Sequence, residues 1–289
     1  MTPESFELFA TVLHAGSGLA IGPDKTYLLE TRLAPLVRRE GLSGLDALAT
    51  RLRSRVQSPL AREFVEAMTT NESFFFRDDK PFTHLRRQAL PRLHATRPAG
   101  TRLRLWSAAA STGQEAYSLA MLVAEDRMGL GNRPVEILGT DIAREPLARA
   151  RAGSYTQFEI QRGLPMQMLV KYFRKEGAQW QLTDGIRAMV GFREWNLLAD
   201  LRPLGQFDVV FCRNVLIYFD QATKARVLEG IARQLAPDGL LYLGGAETVL
   251  GITDRLVPSG PDYGVYELAP ARTAARGQAT NRSSPPPRS

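Results

Sequence analysis

The sequence predicts an α/β fold in which a mainly parallel, doubly wound sheet follows a helical N-terminal region. An apolar, strand-like run at Leu103–Trp106 enters a loop of small side chains, and a helical pattern leaves that loop at Ala116. Strand-like runs and helical spacings then alternate along the chain as far as residue 244. Strands that alternate with helices form a parallel sheet, whose ligand site lies at the carboxyl ends of the strands.

Residues 1–80 predict an all-α domain, because apolar residues recur there at helical spacing between breaks such as Gly41–Gly44. Seven arginines and two acids occur from Thr31 to Arg62, which gives this stretch a local charge of +5. A solvated helix face is one interpretation of this excess, and a docking surface for an acidic protein is the other. The arginines considered for docking are Arg32, Arg38, Arg39, Arg51, Arg53 and Arg55.

The stretch Met68–Asp78 combines polar residues with three consecutive phenylalanines, Phe74–Phe76, and with Arg77. Three consecutive side chains cannot all face one side of a helix, so some must cover a second surface, such as the contact between two domains. The same polar, aromatic and basic residues are also compatible with the lining of a ligand site. Residues 81–99 continue as a helical linker that ends in a Pro-Ala-Gly break.

Residues 100–269 contain the alternating pattern of strands and helices. Strands are predicted near 103–107, 135–141, 207–214 and 240–244, and helices over 115–127, 145–152 and 222–235. The interval 153–206 breaks this alternation and predicts a small inserted antiparallel β subdomain at about 157–193, with a hairpin that joins Gln179–Leu182 to Ile186–Phe192. The tail 270–289 is predicted to be disordered, and either inert or in contact with an acidic surface.

The composition argues against several classes of protein. No apolar run approaches the roughly 18 residues of a membrane span, and Met1–Ser5 does not resemble the start of a signal peptide. One cysteine, Cys212, and three scattered histidines predict neither an internal disulfide nor a metal cluster. The net charge is +7, but residues 100–269 carry 19 basic and 19 acidic groups. We therefore expect a cytoplasmic protein without a structural metal, direct membrane insertion or a nucleic-acid-binding catalytic face.

The loop after the first strand and the acid after the second indicate the class of ligand. Asp141 ends the second strand, where an acid can accept hydrogen bonds from both hydroxyls of a ribose. The loop has one glycine, Gly113, and matches neither the G-x-G-x-x-G pattern nor the Walker sequence, so it lacks a phosphate cradle. These features favour a phosphate-free nucleoside such as S-adenosylmethionine. Glu115 would then face the positive charges of that ligand, or would be an ordinary acid in the first turn of a helix.

Four segments of the chain resemble, in order, the signature segments of the CheR family, the chemotaxis receptor glutamate O-methyltransferases. These segments are Thr69–Asp78 (TTNESFFFRD), Trp106–Ser118 (WSAAASTGQEAYS), Thr140–Ile142 (TDI) and Phe211–Phe219 (FCRNVLIYF). The resemblance extends from about residue 4 to residue 268. It implies an S-adenosylmethionine-dependent methyltransferase domain of the Rossmann-like type, with an N-terminal helical domain and a small inserted β subdomain.

The resemblance also implies a reaction and a set of site residues. Methyl would pass from S-adenosylmethionine to glutamate side chains of chemoreceptors, which gives methyl esters and S-adenosylhomocysteine. The positions that match cofactor contacts are Asn71, Ser73, Arg77, Glu115, Asp141, Asn196, Leu197, Arg213 and Asn214. Arg77 and Tyr218 are expected to orient the acceptor carboxylate. The family commonly has threonine at the position of Ser73, and it usually has Glu and Pro where this chain has Gln114 and Ala116.

The resemblance further implies that the arginines of the helical domain bind the acidic methylation helices of the receptor. We expect a monomer. The segment between Tyr172 and Phe192 is shorter than in the family members that bind a receptor tether, which favours action without a tether. Two alternatives are a nucleic-acid methyltransferase, suggested by the net charge, and a module that binds the cofactor without catalysis. The neutral charge of residues 100–269 argues against the first, and the retained site residues argue against the second.

Overall fold

The N-terminal region is helical and has its own apolar core in the computed structural model, which describes residues 1–54, 58–126, 133–261 and 264–270. Its helices are α1 (Pro3–Ser17), α2 (Thr26–Arg39), α3 (Leu45–Arg53) and α4 (Pro59–Met68). Thr2 and Ser58 cap α1 and α4, since each side chain accepts a hydrogen bond from a backbone N–H three residues later. Phe9 and Phe64 are fully buried and stack at 5.3 Å, so aromatic packing joins α1 to α4.

A second helical stretch connects this core to the sheet. It consists of α5 (Lys80–His84), a π-helical turn at Leu85–Ala89 and α6 (Leu90–Thr96). Arg97 follows α6, and its guanidinium lies 2.6 Å from Oδ1 of Asp208 and 2.5 Å from Oδ2 of Asp238. Because Asp208 lies in a strand of the sheet and Asp238 in the neighbouring strand, Arg97 fastens the connecting helices to the end of the sheet opposite the loop after the first strand.

The strands form two sheets. In chain order they are β1 (Leu103–Ala108), β2 (Val135–Asp141), β3 (Ser154–Thr156), β4 (Phe173–Glu176), β5 (Gln179–Leu182), β6 (Val190–Glu194), β7 (Phe207–Cys212), β8 (Leu235–Leu243), β9 (Leu256–Pro258) and β10 (Val265–Leu268). The larger sheet has the order β6-β2-β1-β7-β8-β10-β9, and the smaller has the order β3-β5-β4. Pairing is parallel from β6 to β8 and antiparallel from β8 to β9.

Helices cover both faces of the larger sheet. The helices of this domain are α7 (Gln114–Glu125), α8 (Arg144–Ala152), α9 (Gln157–Gln161), α10 (Met166–Tyr172), α11 (Asp184–Arg187) and α12 (Gln221–Gln234), of which α9 and α10 contact the smaller sheet. Successive strand residues face opposite layers: Leu105 packs in the core that contains α7, and Trp106 packs in the core that contains α12. The predicted α/β fold, with a helical N-terminal domain and a small antiparallel sheet, is therefore confirmed.

The hairpin predicted from Gln179–Leu182 to Ile186–Phe192 is wrong. β5 pairs instead with β3 and β4, and residues 184–187 form α11. β6 leaves the small sheet altogether and pairs in parallel with β2, with Val190 opposite Ile137. The small sheet thus extends from Ser154 to Leu182, and residues 190–194 belong to the larger sheet. Short alternating segments show which side chains are buried, but they do not identify the neighbouring strand.

Two parts of the sequence prediction fall outside the described residues. The tail predicted to be disordered begins at Pro270, and its residues 271–289 are outside them, as is Arg55 of the arginine set. Within the described ranges, no helix has the length and apolar character needed to cross a membrane.

Candidate active site

A cavity lies at the carboxyl ends of β1, β2 and β7. Its walls bring together every residue predicted for cofactor binding or catalysis: Asn71, Ser73, Arg77, Glu115, Asp141, Asn196, Leu197, Arg213, Asn214 and Tyr218. Ser17 and Leu19, at the end of α1, also line it, so the helical domain supplies part of the wall. Sequence reasoning missed this contribution because neither residue belongs to a motif.

Asp141 is the last residue of β2 and is 7% exposed. Its Oδ2 accepts a hydrogen bond from the N–H of Ser111 at 2.8 Å, and its Oδ1 accepts one from the N–H of Ala143 at 2.9 Å. Burial raises the pKa of the carboxyl above its ordinary value, and the backbone N–H donors oppose this shift in part. The carboxylate is therefore oriented by two loops and retains lone pairs for a ligand in the cavity.

Three backbone N–H groups of the loop between β1 and α7 are already paired within the protein. The N–H groups of Ala110 and Gly113 donate to Thr140 and Ala110 carbonyls at 2.8 and 2.9 Å, and that of Ser111 donates to Asp141. Ala109 and Ser111 have positive φ angles of 62° and 51°, and Gly113 has 93°. These N–H groups therefore do not form an anion cradle, which agrees with the prediction of a phosphate-free nucleoside.

Glu115 and Arg213 form an ion pair below the cavity. Oε2 of Glu115 lies 3.2 Å from Nη1 of Arg213, and Oε1 accepts a hydrogen bond from Ser107 Oγ at 2.8 Å. The side chain of Arg213 is only 1% exposed, and its Nη2 also contacts Asp78 at 2.7 Å. Burial raises the pKa of Glu115, while Arg213 lowers it in part. Glu115 is thus more than an exposed first-turn acid, because it is a partly shielded carboxylate on the cavity wall.

The segment from Asn71 to Arg77 is a loop whose phenylalanines point in different directions. Phe75 is fully buried and contacts Tyr155 and Phe173 edge to face, at 5.0 and 5.6 Å between ring centroids. Phe74 lines the cavity, and the guanidinium of Arg77 lies 5.3 Å from its ring centroid. Anchoring by Phe75 holds this loop against the small sheet and leaves Arg77 beside the ligand space.

Asn196 and Leu197 follow β6 on the opposite wall. Nδ2 of Asn196 donates to the carbonyl of Gly16 at 2.7 Å, and its Oδ1 accepts from the N–H of Leu198 at 2.9 Å. Leu197 contributes an apolar surface to the cavity. Asn196 therefore connects this wall to α1 rather than pointing freely at a ligand.

Glu247 was not identified from the sequence, although it holds the loop that contains Asn214 and Tyr218. It is 4% exposed, and it accepts hydrogen bonds from consecutive N–H groups of that loop. It lies just after the carboxyl end of β8, in the sequence Gly244-Gly245-Ala246-Glu247. The argument that selected Asp141, an acid following a strand, would also have selected Glu247.

The arginines predicted to bind a partner have different surroundings. Nη1 of Arg32 donates to the carbonyls of Met68 and Thr69 at 2.6 and 3.1 Å, so its guanidinium fixes the segment that leads into the site. Arg39 pairs with Glu63, and Arg51 lies 3.1 Å from Glu40. Arg38 and Arg53 are exposed, and the described residues offer them no ion pair.

The chemistry of the cavity fits S-adenosylmethionine. Three acids line the cavity, and one of them, Glu72, is paired with Arg162. Glu115 and Asp141 can therefore face a ligand with two cationic groups and a ribose, and Arg77 has no acidic side-chain partner among the described residues. The described residues contain no group of three or more His, Cys, Asp or Glu side chains that could hold a metal ion. Cys212 is buried, and burial raises the pKa of its thiol well above the usual range.

Comparison with known proteins agrees with this site. Residues 4–69 match the all-alpha domain of the CheR methyltransferases, and residues 71–263 match their SAM-binding domain. The chain is 40% identical to the chemotaxis protein methyltransferase Cher2 of Pseudomonas putida and 41% identical to chemotaxis protein methyltransferase 1 of Pseudomonas aeruginosa, each over 86% of this chain and 92% of the relative. It is 37% identical to chemotaxis protein methyltransferase 1 of Vibrio cholerae, over 93% of this chain and 98% of that protein. The chain therefore belongs to the CheR family of S-adenosylmethionine-dependent methyltransferases.

Proposed function

We propose that this enzyme methylates glutamate side chains of a chemoreceptor and releases S-adenosylhomocysteine. The observation that carries the proposal is a single cavity whose wall has Glu115 and Asp141 together with Arg77 and Tyr218. The described residues that line it include no histidine, lysine or cysteine. A glutamate with a pKa of about 4.3 is already ionised at neutral pH, so its methylation needs no strong general base.

The proposed cofactor contacts follow from the resemblance to the family, and each side chain concerned lines the cavity. Asp141 would accept hydrogen bonds from the ribose hydroxyls, and Glu115 would face the positive charges of the methionine portion. Asn71, Ser73, Arg77, Arg213 and Asn214 complete that side, while Asn196 and Leu197 flank the base. S-adenosylmethionine, when bound, supplies an activated methyl group. Its charges match the carboxylates of Glu115 and Asp141. The pairing of the N–H groups of Ala110, Ser111 and Gly113 is no disadvantage because the ligand has no phosphate.

Arg77 and Tyr218 are the proposed catalytic residues, and their task is to align the acceptor carboxylate. Alignment and exclusion of water contribute most when an ionised acceptor attacks a cation. The guanidinium of Arg77 is restrained by the carbonyl of Glu72 at 3.3 Å and by the Phe74 ring. Such restraint matters because an arginine that paired too closely with the acceptor would stabilise its ground state and slow the transfer.

The proposed partner is the acidic methylation helix of a receptor cytoplasmic domain. Exposed arginines on α2 and α3, Arg38 and Arg53, supply the complementary charge on the described surface. We propose a cytoplasmic monomer that binds neither nucleic acid nor the membrane and that needs no receptor tether. The neutral charge of residues 100–269 supports the absence of nucleic-acid binding, and the short β insertion supports action without a tether.

Labelled S-adenosylmethionine incubated with receptor-containing membranes tests the reaction. We expect base-labile label on receptor glutamates, since methyl esters hydrolyse in base. Label on added nucleic acid would favour the alternative methyltransferase, and cofactor binding without transfer would favour a non-catalytic module.

The variant Tyr218→Phe tests the catalytic role. Loss of one orienting hydroxyl should lower kcat about tenfold while the Kd for S-adenosylhomocysteine stays within about twofold. An unchanged kcat would remove Tyr218 from the proposed mechanism.

A further inference from the structure

The buried carboxylate of Glu247 lies behind the site wall and accepts hydrogen bonds from several backbone N–H groups. Its Oε1 accepts from the N–H groups of Val215 at 2.9 Å, Leu216 at 2.7 Å and Ile217 at 3.3 Å. Its Oε2 accepts from the N–H groups of Asn214 at 2.8 Å and Gly244 at 2.7 Å. One side chain thus satisfies N–H groups at the ends of both β7 and β8.

These donors converge because the chain turns sharply after β7. Asn214 has a φ of 58°, in the left-handed region, and the following residues begin a short 3-10 turn at Leu216–Tyr218. Successive N–H groups that point to one side form a concavity for an anion. The described residues provide no other acceptor for the four N–H groups from Asn214 to Ile217. Without the carboxylate these groups would be left unpaired next to the site, which is strongly unfavourable.

The turn held by Glu247 also carries two residues of the cavity wall, Asn214 and Tyr218. Tyr218 is linked to the turn through its N–H, which donates to Val215 at 3.2 Å, and to the helical domain through its carbonyl, which accepts from Ala20 at 3.0 Å. Arg213, in contrast, is fixed by Glu115 and Asp78 and does not touch Glu247. The carboxylate therefore supports one part of the wall and not the rest.

We infer that Glu247 is a positioning residue for methyl transfer. Its carboxylate holds residues 214–217 in the conformation that places Asn214 and Tyr218 on the cavity wall. This inference rests on the methyl-transfer reaction proposed above. Because Glu247 lies outside the cavity, removing its charge should disturb the chemical step more than the binding of the cofactor.

The test is Glu247→Gln, with Glu229→Gln as the matched control. Glutamine keeps the size of the side chain, but its amide nitrogen faces N–H donors and cannot accept from them. Glu229 accepts from Thr253 Oγ1 at 2.7 Å in the same region and makes no contact with residues 214–217. We expect Glu247→Gln to lower kcat by about 10- to 100-fold, with the Kd for S-adenosylhomocysteine within about threefold of wild type. The control should keep kcat within about twofold.

Amide hydrogen exchange supplies a readout that is independent of activity. In Glu247→Gln the amides of residues 214–217 should exchange at least about tenfold faster, with α7 and β1 unchanged. Unchanged exchange in that segment would overturn the inference, and so would faster exchange with an unchanged kcat. If Tyr218→Phe retains full activity while Glu247→Gln shows both effects, the catalytic role of Tyr218 fails and the positioning role of Glu247 stands.

Glu247→Asp keeps the test decisive if the glutamine variant does not fold. Aspartate retains the charge but is one methylene shorter, so it can reach only part of the row of N–H groups. A partial loss of kcat together with exchange that is faster only within 214–217 supports the inference. Wild-type kcat and exchange in this variant, despite the shortened side chain, would overturn it.

Discussion

Arg213 and Arg53 have the same kind of side chain, but one is buried in the site and the other is exposed to solvent. The side chain of Arg213 is 1% exposed and is surrounded by Glu115, Asp78 and the carbonyl of Arg77, whereas Arg53 is exposed at the end of α3. Removal of one partner from a buried ion pair is strongly destabilising, at about 3–5 kcal/mol, whereas an exposed charge contributes about 0–1 kcal/mol. Removal of a buried charge should therefore disturb the structure of the site, whereas removal of an exposed charge should mainly weaken the binding of a partner.

The cavity wall and the arginine-bearing face of α2 and α3 should also respond differently to pH and to salt. The carboxylates of the wall are shielded from water, so their interactions respond to pH and little to salt. The arginines of α2 and α3 are solvated, and their attraction to an acidic helix weakens as salt screens it. Variants of the cavity wall should therefore affect cofactor binding in a pH-dependent way. Variants of the arginine-bearing face should affect receptor binding in a salt-dependent way.

Asp141→Ala should have the largest effect on the buried side of this comparison. It removes two charge-assisted hydrogen bonds proposed for the ribose, so the affinity for S-adenosylhomocysteine should fall by about 100-fold or more. The N–H groups of Ser111 and Ala143 also lose their acceptor, which should lower the free energy of unfolding by about 1–3 kcal/mol. Calorimetry well below the melting temperature measures the first effect, and thermal unfolding measures the second.

The control for Asp141→Ala is Asp184→Ala, on the exposed start of α11. The side chain of Asp184 is 98% exposed and makes only a surface contact with Arg187 at 3.5 Å. Its removal should leave the cofactor Kd within about twofold of wild type. An unchanged affinity in Asp141→Ala itself would show that the ribose lies elsewhere.

Glu115→Gln should have the next largest effect, and it distinguishes two roles of that residue. If Glu115 faces the α-ammonium group, the cation that S-adenosylhomocysteine keeps, affinity for that ligand should fall by about 10- to 30-fold. Affinity for adenosine, which lacks the methionine portion, should stay unchanged. An equal loss for both ligands would mean that Glu115 acts only by holding Arg213 and the loop.

The buried carboxyls also predict a pH dependence of cofactor binding. Burial raises the pKa of Glu115 and of Asp141, so each takes up a proton at a higher pH than a surface acid would. A protonated carboxyl no longer attracts a cation, so affinity for S-adenosylhomocysteine should fall as the pH is lowered, and should begin to fall at a higher pH than for surface carboxyls. The effect on stability has the opposite sign, since acids with a raised pKa favour the folded state at low pH and less so as the pH rises. Calorimetric titrations at several pH values test the first statement, and a flat profile would contradict it.

The sequence predicted the parts of the site that are tied to the sheet. Asp141 ends a strand and Glu115 begins a helix, so the pattern of strands and helices was enough to bring them together. The loop with Asn71 and Arg77 was placed at the site only by its resemblance to a family, because its position depends on the packing of Phe75 against the small sheet. β6 was assigned to the wrong sheet because alternation of apolar residues does not select a partner strand.

The partner surface was predicted less well for a related physical reason. Arg32 lies between Leu29 and Leu36, which are both buried on α2, and this helical spacing turns it toward the interior. Its guanidinium binds the backbone of residues 68 and 69, whereas Arg38 remains exposed. Counting arginines gave the charge of the region, but the buried face of each helix decides which of them can meet a partner.

Charge reversal on the exposed side, Arg38→Glu with Arg53→Glu, should have the smallest effect of the series and should affect a different ligand. We expect kcat/KM for receptor methylation to fall by about 3- to 10-fold at low salt, with the cofactor Kd unchanged. Arg87→Glu, at an exposed position of the π-helical turn Leu85–Ala89, makes the same kind of charge change away from α2 and α3 and should have little effect. Added salt should bring the wild-type enzyme close to the double variant, because it screens the attraction that the arginines supply. Equal loss in Arg87→Glu would mean that overall charge, and not this face, brings the receptor to the enzyme.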